Sequence, residues 1–191
     1  MYSTSTPTHL LNAEVSVFQD FLSRDCSDII LSAYEDIEKI NNTGPHRDNL
    51  FDTERTDWKA HNHSGVQNVW QSVSEKFSFL FRREMYPSGL ESVSMNLHES
   101  WIGVSGEDAF IEPHNHGRCP LIWSFVFYAK IPNQTSSLRF ISRDTDHVKV
   151  TVREGDVLFF PSNLTHYSND TFSGRTIFSG NFTVSLTMRE M

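Results

Sequence analysis

Glu154-Gly155-Asp156-Val157-Leu158-Phe159-Phe160-Pro161-Ser162-Asn163-Leu164-Thr165-His166 sets a turn signal, a short apolar run, a second turn signal and a histidine in one line. An apolar run this short, bounded by Gly/Asp on one side and Pro/Ser/Asn on the other, reads as a buried β-strand. The same texture extends outward. Upstream, Val93, Met95 and Leu97 alternate with Ser94, Asn96 and His98, the period of a strand with one buried face. Leu121–Ile131 is a nearly continuous apolar and aromatic run, followed by strand candidates at Leu138–Ile141 and Val148–Val152. Downstream, Thr176–Val184 is another. Pro132-Asn133 and Ser173-Gly174 punctuate them.

The first half has a different rhythm. Apolar residues begin at Val15, Val17, Phe18, Phe21 and Leu22, and then recur at helical spacing through Ile29, Ile30, Ala33, Tyr34 and Ile37. This predicts an amphipathic helix over Asp25–Ile40, with Ser23 or Asp25 as its cap. Asn41–Lys59 is rich in Asn, Asp, Gly and Thr and reads as loop. Val66, Val69, Trp70, Val73, Phe77, Leu80 and Phe81 predict a second helix over Gly65–Met85, with Ser64 at its N-cap and Tyr86-Pro87-Ser88-Gly89 ending it. The expected class is mainly β with N-terminal helices, a sandwich or barrel. The helices have apolar faces that need the sheet as cover. One domain over residues 1–191 is therefore expected, with helical support at 10–88 and a β core at 90–187.

The chain has 191 residues, enough for a real core, and a formal net charge of −8. That balance argues against a broad basic surface for nucleic acid or anionic lipid. Two cysteines, Cys26 and Cys119, are too few for a disulfide scaffold and read as free thiols in a reducing compartment. No membrane span or signal peptide is apparent, so a cytoplasmic location is expected.

Chemistry concentrates in His114-Asn115-His116-Gly117 and in His166. In an extended segment residues i and i+2 project from one face, so His114 and His116 can reach one ion while Asn115 points away. His166, a hairpin or two downstream, can supply a third ligand from another strand. Three protein ligands leave coordination positions open, as a catalytic metal requires. His61-Asn62-His63 nearly duplicates the first motif. It lies in a polar stretch before a helix, with no β pattern around it, and is expected at the surface.

Taken together, Glu154–His166, the His-x-His segment and Ser124-Phe125-Val126-Phe127-Tyr128-Ala129-Lys130-Ile131-Pro132 resemble the iron(II)/2-oxoglutarate dioxygenases. The likeness is to a prolyl-hydroxylase-related branch met in marine bacteria and their phages, and it covers about Val93–Val184. It implies a double-stranded β-helix, or jelly roll. His114, His116 and His166 would hold Fe(II), and 2-oxoglutarate would chelate the metal. Its oxidative decarboxylation with dioxygen would drive hydroxylation of an unactivated C–H bond in a peptide side chain or small metabolite. Arg175 occupies the place of the arginine that follows the distal histidine. A carboxylate deep in an apolar barrel needs a partner, and guanidinium offers two parallel donors and keeps its charge when buried. Asn96, Ser124, Tyr128, Ser179 and Asn181 are candidates for the remaining co-substrate hydrogen bonds.

The sequence departs from the superfamily pattern twice. Many members carry Asp or Glu where His116 stands, and Ser or Thr where Ile177 stands. Glu112 is an alternative carboxylate ligand, disfavoured by its place before Pro113. Trp101 is the best candidate for a substrate platform, with Trp58 also considered, whereas Trp123 is expected in the core. Ser105-Gly106-Glu107-Asp108 reads as a solvated turn or a lid, and Cys119 as a bystander. Two other functions fit such a barrel: a three-histidine cupin-type enzyme that uses no 2-oxoglutarate, and a non-catalytic jelly roll of a virion or binding protein.

Overall fold

The computed structural model describes residues 15–37, 39–40, 53–56, 58–85, 90–106, 110–117, 122–133, 135–141, 147–168 and 174–188. Two antiparallel sheets dominate. The larger runs β1 (Ser16–Phe18), β9 (Val157–Pro161), β6 (Ile122–Lys130), β11 (Thr176–Met188), β4 (Leu90–Ser105), β3 (Thr53–Thr56) and β2 (Lys39–Ile40) in that spatial order. The smaller runs β5 (Ile111–His114), β10 (His166–Ser168), β7 (Ser136–Ile141) and β8 (His147–Val152). This is the mainly β, jelly-roll architecture expected.

Period-two alternation sorts the central strands of the large sheet between two cores. On β6, Phe125, Phe127 and Ala129 face the helices, while Val126 and Tyr128 face the barrel interior. On β9, Val157 and Phe159 go to the helices and Leu158 and Phe160 inward. The inward residues meet Leu138 and Phe140 of β7 and Val150 and Val152 of β8. A strand buried on both faces reads as a continuous apolar run, which is why Leu121–Ile131 looked as it did.

The helices cover the outer face of the large sheet. α1 (Arg24–Asp36) buries Ile30, Ala33 and Tyr34, and α2 (Ser64–Met85) buries Val66, Val69, Val73 and Phe77. Burying one such apolar side chain stabilises the fold by roughly 1.5–3 kcal/mol. Phe77 is the centre of an aromatic cluster, its ring 4.5 Å from Phe159 and 5.5 Å from Phe182. Trp123 packs into the same core, as expected.

Two expectations need correction. The first helix ends at Asp36, not Ile40, because Lys39 and Ile40 pair with Thr56 and Arg55 on the sheet edge. Sheet pairing overrides the helical spacing there. Asn41–Lys59 is not all loop: its described part holds β3, paired with β4, while residues 41–52 lie outside the described residues. Val17 and Phe18, to which no element had been assigned, belong to β1, paired with β9. Ser23 is the N-cap of α1 by backbone conformation, but its side chain makes no capping bond.

One irregularity matters for the site. Asn181 of β11 pairs with Glu99 of β4, and Phe182 pairs with Leu97, so His98 is an extra residue in β4. Such a bulge shifts the facing of a strand by one residue. Beyond it Met95 and Leu97 pack toward the helices, whereas Trp101 lines the barrel interior. Glu99 thus keeps the inward parity of Trp101. Gly180, next to the bulge, has no room for a side chain: a Cβ there would lie 2.6 Å from the Glu99 carbonyl oxygen.

Candidate metal centre

β5 and β10 lie side by side with His114 opposite His166 in register. His116 follows two residues beyond, where the chain leaves β5 and its N–H bonds the Ser162 carbonyl at 2.8 Å. Asn115 is turned away from the histidines. Its Oδ1 accepts the N–H of Gly117 at 3.2 Å, a local turn that suits the positive φ of 116° at Gly117. One strand end and one neighbouring strand therefore aim three imidazoles at a common point.

The ligand atoms of His114, His116 and His166 all lie within 4.8 Å of one another, the one such group among the described residues. His116 Nε2 and His166 Nε2 are 3.3 Å apart. Two nitrogens on one metal at a bond length of about 2.1 Å sit roughly 3.0 Å apart at octahedral angles and roughly 3.4 Å apart at tetrahedral ones. The observed separation falls between these. His114 Nδ1–H donates to the Glu112 carbonyl at 2.8 Å, and His166 Nδ1–H donates to the Leu164 carbonyl at 3.0 Å. A carbonyl can only accept, so both rings carry their proton on Nδ1 and turn a bare Nε2 to the shared point. Glu112 contributes its backbone; its side chain is exposed.

Electrostatics favours neutral ligands. Burial holds the pKa of His114 below its ordinary value against the opposing effect of its hydrogen bond to the Glu112 carbonyl. Burial, and then repulsion from His114, lowers that of His116 to about 4. Burial, and then repulsion from His114 and His116, puts His166 well below the usual range. At neutral pH all three are unprotonated bases, the form that binds a metal. The donor set fits an ion with open positions.

The same cavity is lined by Trp101, Tyr128, Ser168, Ser179 and Arg175. Arg175, immediately before β11, is 3% exposed. Its Nη1 donates to Ser136 Oγ at 2.9 Å and Ser168 Oγ at 3.0 Å, and its Nε to Ser105 Oγ at 3.2 Å. The structure thus brings His114, His116, His166, Arg175, Tyr128 and Ser179 around one space. Ser124 and Asn181 stand behind His116: Ser124 Oγ donates to Asn181 Oδ1 at 2.6 Å, and Asn181 Nδ2 lies 3.3 Å from His116 Nδ1. Asn96 is exposed on β4. Trp101 stacks on His116 with a centroid distance of 5.7 Å, and the more exposed Trp58 meets it edge-on at 4.8 Å. Cys119 and residues 107–109 lie outside the described residues.

Sequence reading missed Ser105, Ser136 and Ser168 as partners of the arginine. The signal for Ser168 was present, because it stands two residues after His166 and so shares its face of β10. Ile177 has no hydroxyl and lines the cavity as an apolar wall. His61 does not cluster with the others: its Nδ1 lies 3.2 Å from Ser100 Oγ.

No family model and no curated protein matches the chain. Solved structures do. A Pseudomonas putida prolyl-4-hydroxylase superposes with TM-score 0.61 at 16% identity, covering 89% of this chain and 92% of that one. The viral collagen prolyl hydroxylase of Paramecium bursaria Chlorella virus-1, solved with 2-oxoglutarate, gives TM-score 0.61 at 14% identity over 91% and 96%. The epimerase SnoN, solved with Fe3+, α-ketoglutarate and nogalamycin RO, gives 0.67 at 9% identity over 91% and 81%. The fold of this chain is the one these prolyl hydroxylases and the epimerase share, and here it encloses a three-histidine cluster able to hold a metal.

Proposed function

We propose that the chain is an iron(II)/2-oxoglutarate-dependent oxygenase that hydroxylates a C–H bond of a peptide side chain or small metabolite. The observation that carries this is the pairing, in one cavity, of three converging imidazoles with a buried guanidinium. His114, His116 and His166 would hold the iron. Arg175 would take the far carboxylate of 2-oxoglutarate, with Ser168, Tyr128 and Ser179 on the same walls. When bound, the pair supplies the activation of dioxygen.

The protein's own part is positioning. The two backbone carbonyls fix ring tautomers, the apolar walls Val126, Leu138 and Ile177 exclude water, and Trp101 forms a flat wall beside His116. A three-histidine enzyme without 2-oxoglutarate would have no use for a cation at 3% exposure facing the metal ligands. The helices and sheet share one apolar core, which supports a single domain. No helix among the described residues is long and apolar enough to cross a membrane. A cytoplasmic place remains part of the proposal.

The test is anaerobic addition of Fe(II) and 2-oxoglutarate. A weak visible charge-transfer band that needs both, and is lost in Arg175→Ala, is expected. Iron uptake with no band and no succinate on admitting dioxygen would overturn the reading.

A further inference from the structure

His116 differs from its two companions in what stands behind it. His114 and His166 each rest Nδ1 on a backbone carbonyl, which can only accept. His116 rests Nδ1 on the side-chain amide of Asn181, which can do either. That amide is held on two more sides, by Ser124 Oγ at 2.6 Å and by Glu99 Oε1 at 2.5 Å. Ser124 Oγ in turn lies 2.9 Å from Ser162 Oγ. Glu99 is there because the extra residue His98 sets the facing of β4, and bulges beside a site re-aim side chains.

Two hydrogen-bond patterns are open to these atoms. In one, Asn181 Nδ2 donates to both His116 Nδ1 and Glu99 Oε1, while Oδ1 accepts from Ser124. An amide nitrogen cannot accept, so His116 Nδ1 is the bare atom and the ring proton sits on Nε2. A metal on His116 Nε2 demands the other pattern. The single ring proton leaves Nε2 and reappears on Nδ1, which now needs an acceptor. Only the Asn181 amide is in reach, so Oδ1 turns to His116 and Nδ2 to Ser124, whose hydroxyl donates to Ser162. Glu99 then loses its donor and faces an oxygen.

We propose that Asn181 is a positioning residue whose amide turns over when His116 takes a metal, and that Glu99 opposes this turn by holding the amide in the other orientation. The inference rests on the metal reading of the three histidines and goes beyond it. Glu99, although a carboxylate close to a cation site, lowers metal affinity.

The experiment compares Zn(II) binding isotherms of the full chain for the parent, Glu99→Gln, Asn181→Leu, and Asn181→Asp combined with Glu99→Gln. It adds the His116 tautomer from long-range proton–nitrogen NMR, with and without Zn(II). Glu99→Gln should bind Zn(II) several-fold more tightly, because its amide can donate to the turned Oδ1. Asn181→Leu should lose roughly 10–100-fold, the usual cost of an outer partner. The double variant should regain affinity, since Asp accepts from Nδ1–H. The tautomer should move from Nε2–H to Nδ1–H on loading. Weaker binding in Glu99→Gln, or an Nδ1–H tautomer in both states, overturns the proposal. No Zn(II) uptake by the parent overturns the metal reading with it. If Asn181→Leu does not fold, Glu99→Gln and the tautomer decide.

Discussion

The chain writes His-Asn-His twice, at His61–His63 and at His114–His116, and only the second copy makes a site. The first lies on a one-turn 3-10 helix, Ala60–Asn62, leading into α2. There the two rings diverge, His61 toward Ser100 of β4 and His63 toward Asp36 at the end of α1, 3.6 Å away. The second copy leaves an extended strand, its rings 5.1 Å apart and both near His166. Identical side chains acquire opposite roles from backbone form and from what the neighbouring strand offers. The motif carries the chemistry; the ladder beside it decides whether the chemistry is used.

The largest effect should come from removing the neighbour. His166→Ala should cost metal affinity by more than the roughly 10–100-fold typical of an outer partner, measured by anaerobic Co(II) binding. His63→Ala, at the other copy, should leave the isotherm where it was. Equal losses would erase the contrast.

Arg175→Met should come next. Truncating one partner of a buried charged pair costs about 3 kcal/mol, on the order of 100-fold in affinity. Calorimetry of 2-oxoglutarate binding to the metal-loaded protein should show that loss while metal affinity stays. A loss of both would mean that the arginine supports the ligand strands and not the co-substrate.

Acid probes the second copy as well. For the metal-stripped protein, the three buried imidazoles have folded-state pKa values below 6.5, that of His116 about 4. The unfolded chain therefore binds protons first as pH falls. Stability is fully present above about 6.5 and is lost as pH falls through the depressed folded values. Thermal melts between pH 7 and 4 should show the decline, and His116→Gln should flatten it. An undiminished decline in His116→Gln would contradict the role of this imidazole.

The smallest effect belongs to Ser100→Ala, which cuts the His61 hydrogen bond. It should lower stability by about 1 kcal/mol in urea melts and leave metal binding unchanged.

Long apolar stretches were legible in the sequence. β6, β7, β8, β9 and the start of β11 were read because alternation or continuous burial left a pattern several residues long. β5 and β10 left no such pattern, and only the argument from the histidines placed His114 and His166 on extended segments. They span four and three residues, and hold Glu, Pro, His and Ser where strands usually hold branched apolar residues. Their pairing is decided by partners distant in sequence. The metal ligands were legible because i, i+2 spacing and a third histidine constrain geometry strongly. Glu99 was hidden for the opposite reason: the extra residue His98 breaks the alternation from which its facing would have been inferred.

Ser105, Ser136 and Ser168 come from three strands to meet one guanidinium. Ser168 gives its own hydrogen to the Ser137 carbonyl at 3.1 Å, so toward the cation it offers only lone pairs. Oxygen atoms from three strands thus replace the water that burial strips from the guanidinium. If Arg175 receives a dicarboxylate as proposed, that oxygen shell is already in place when the anion arrives.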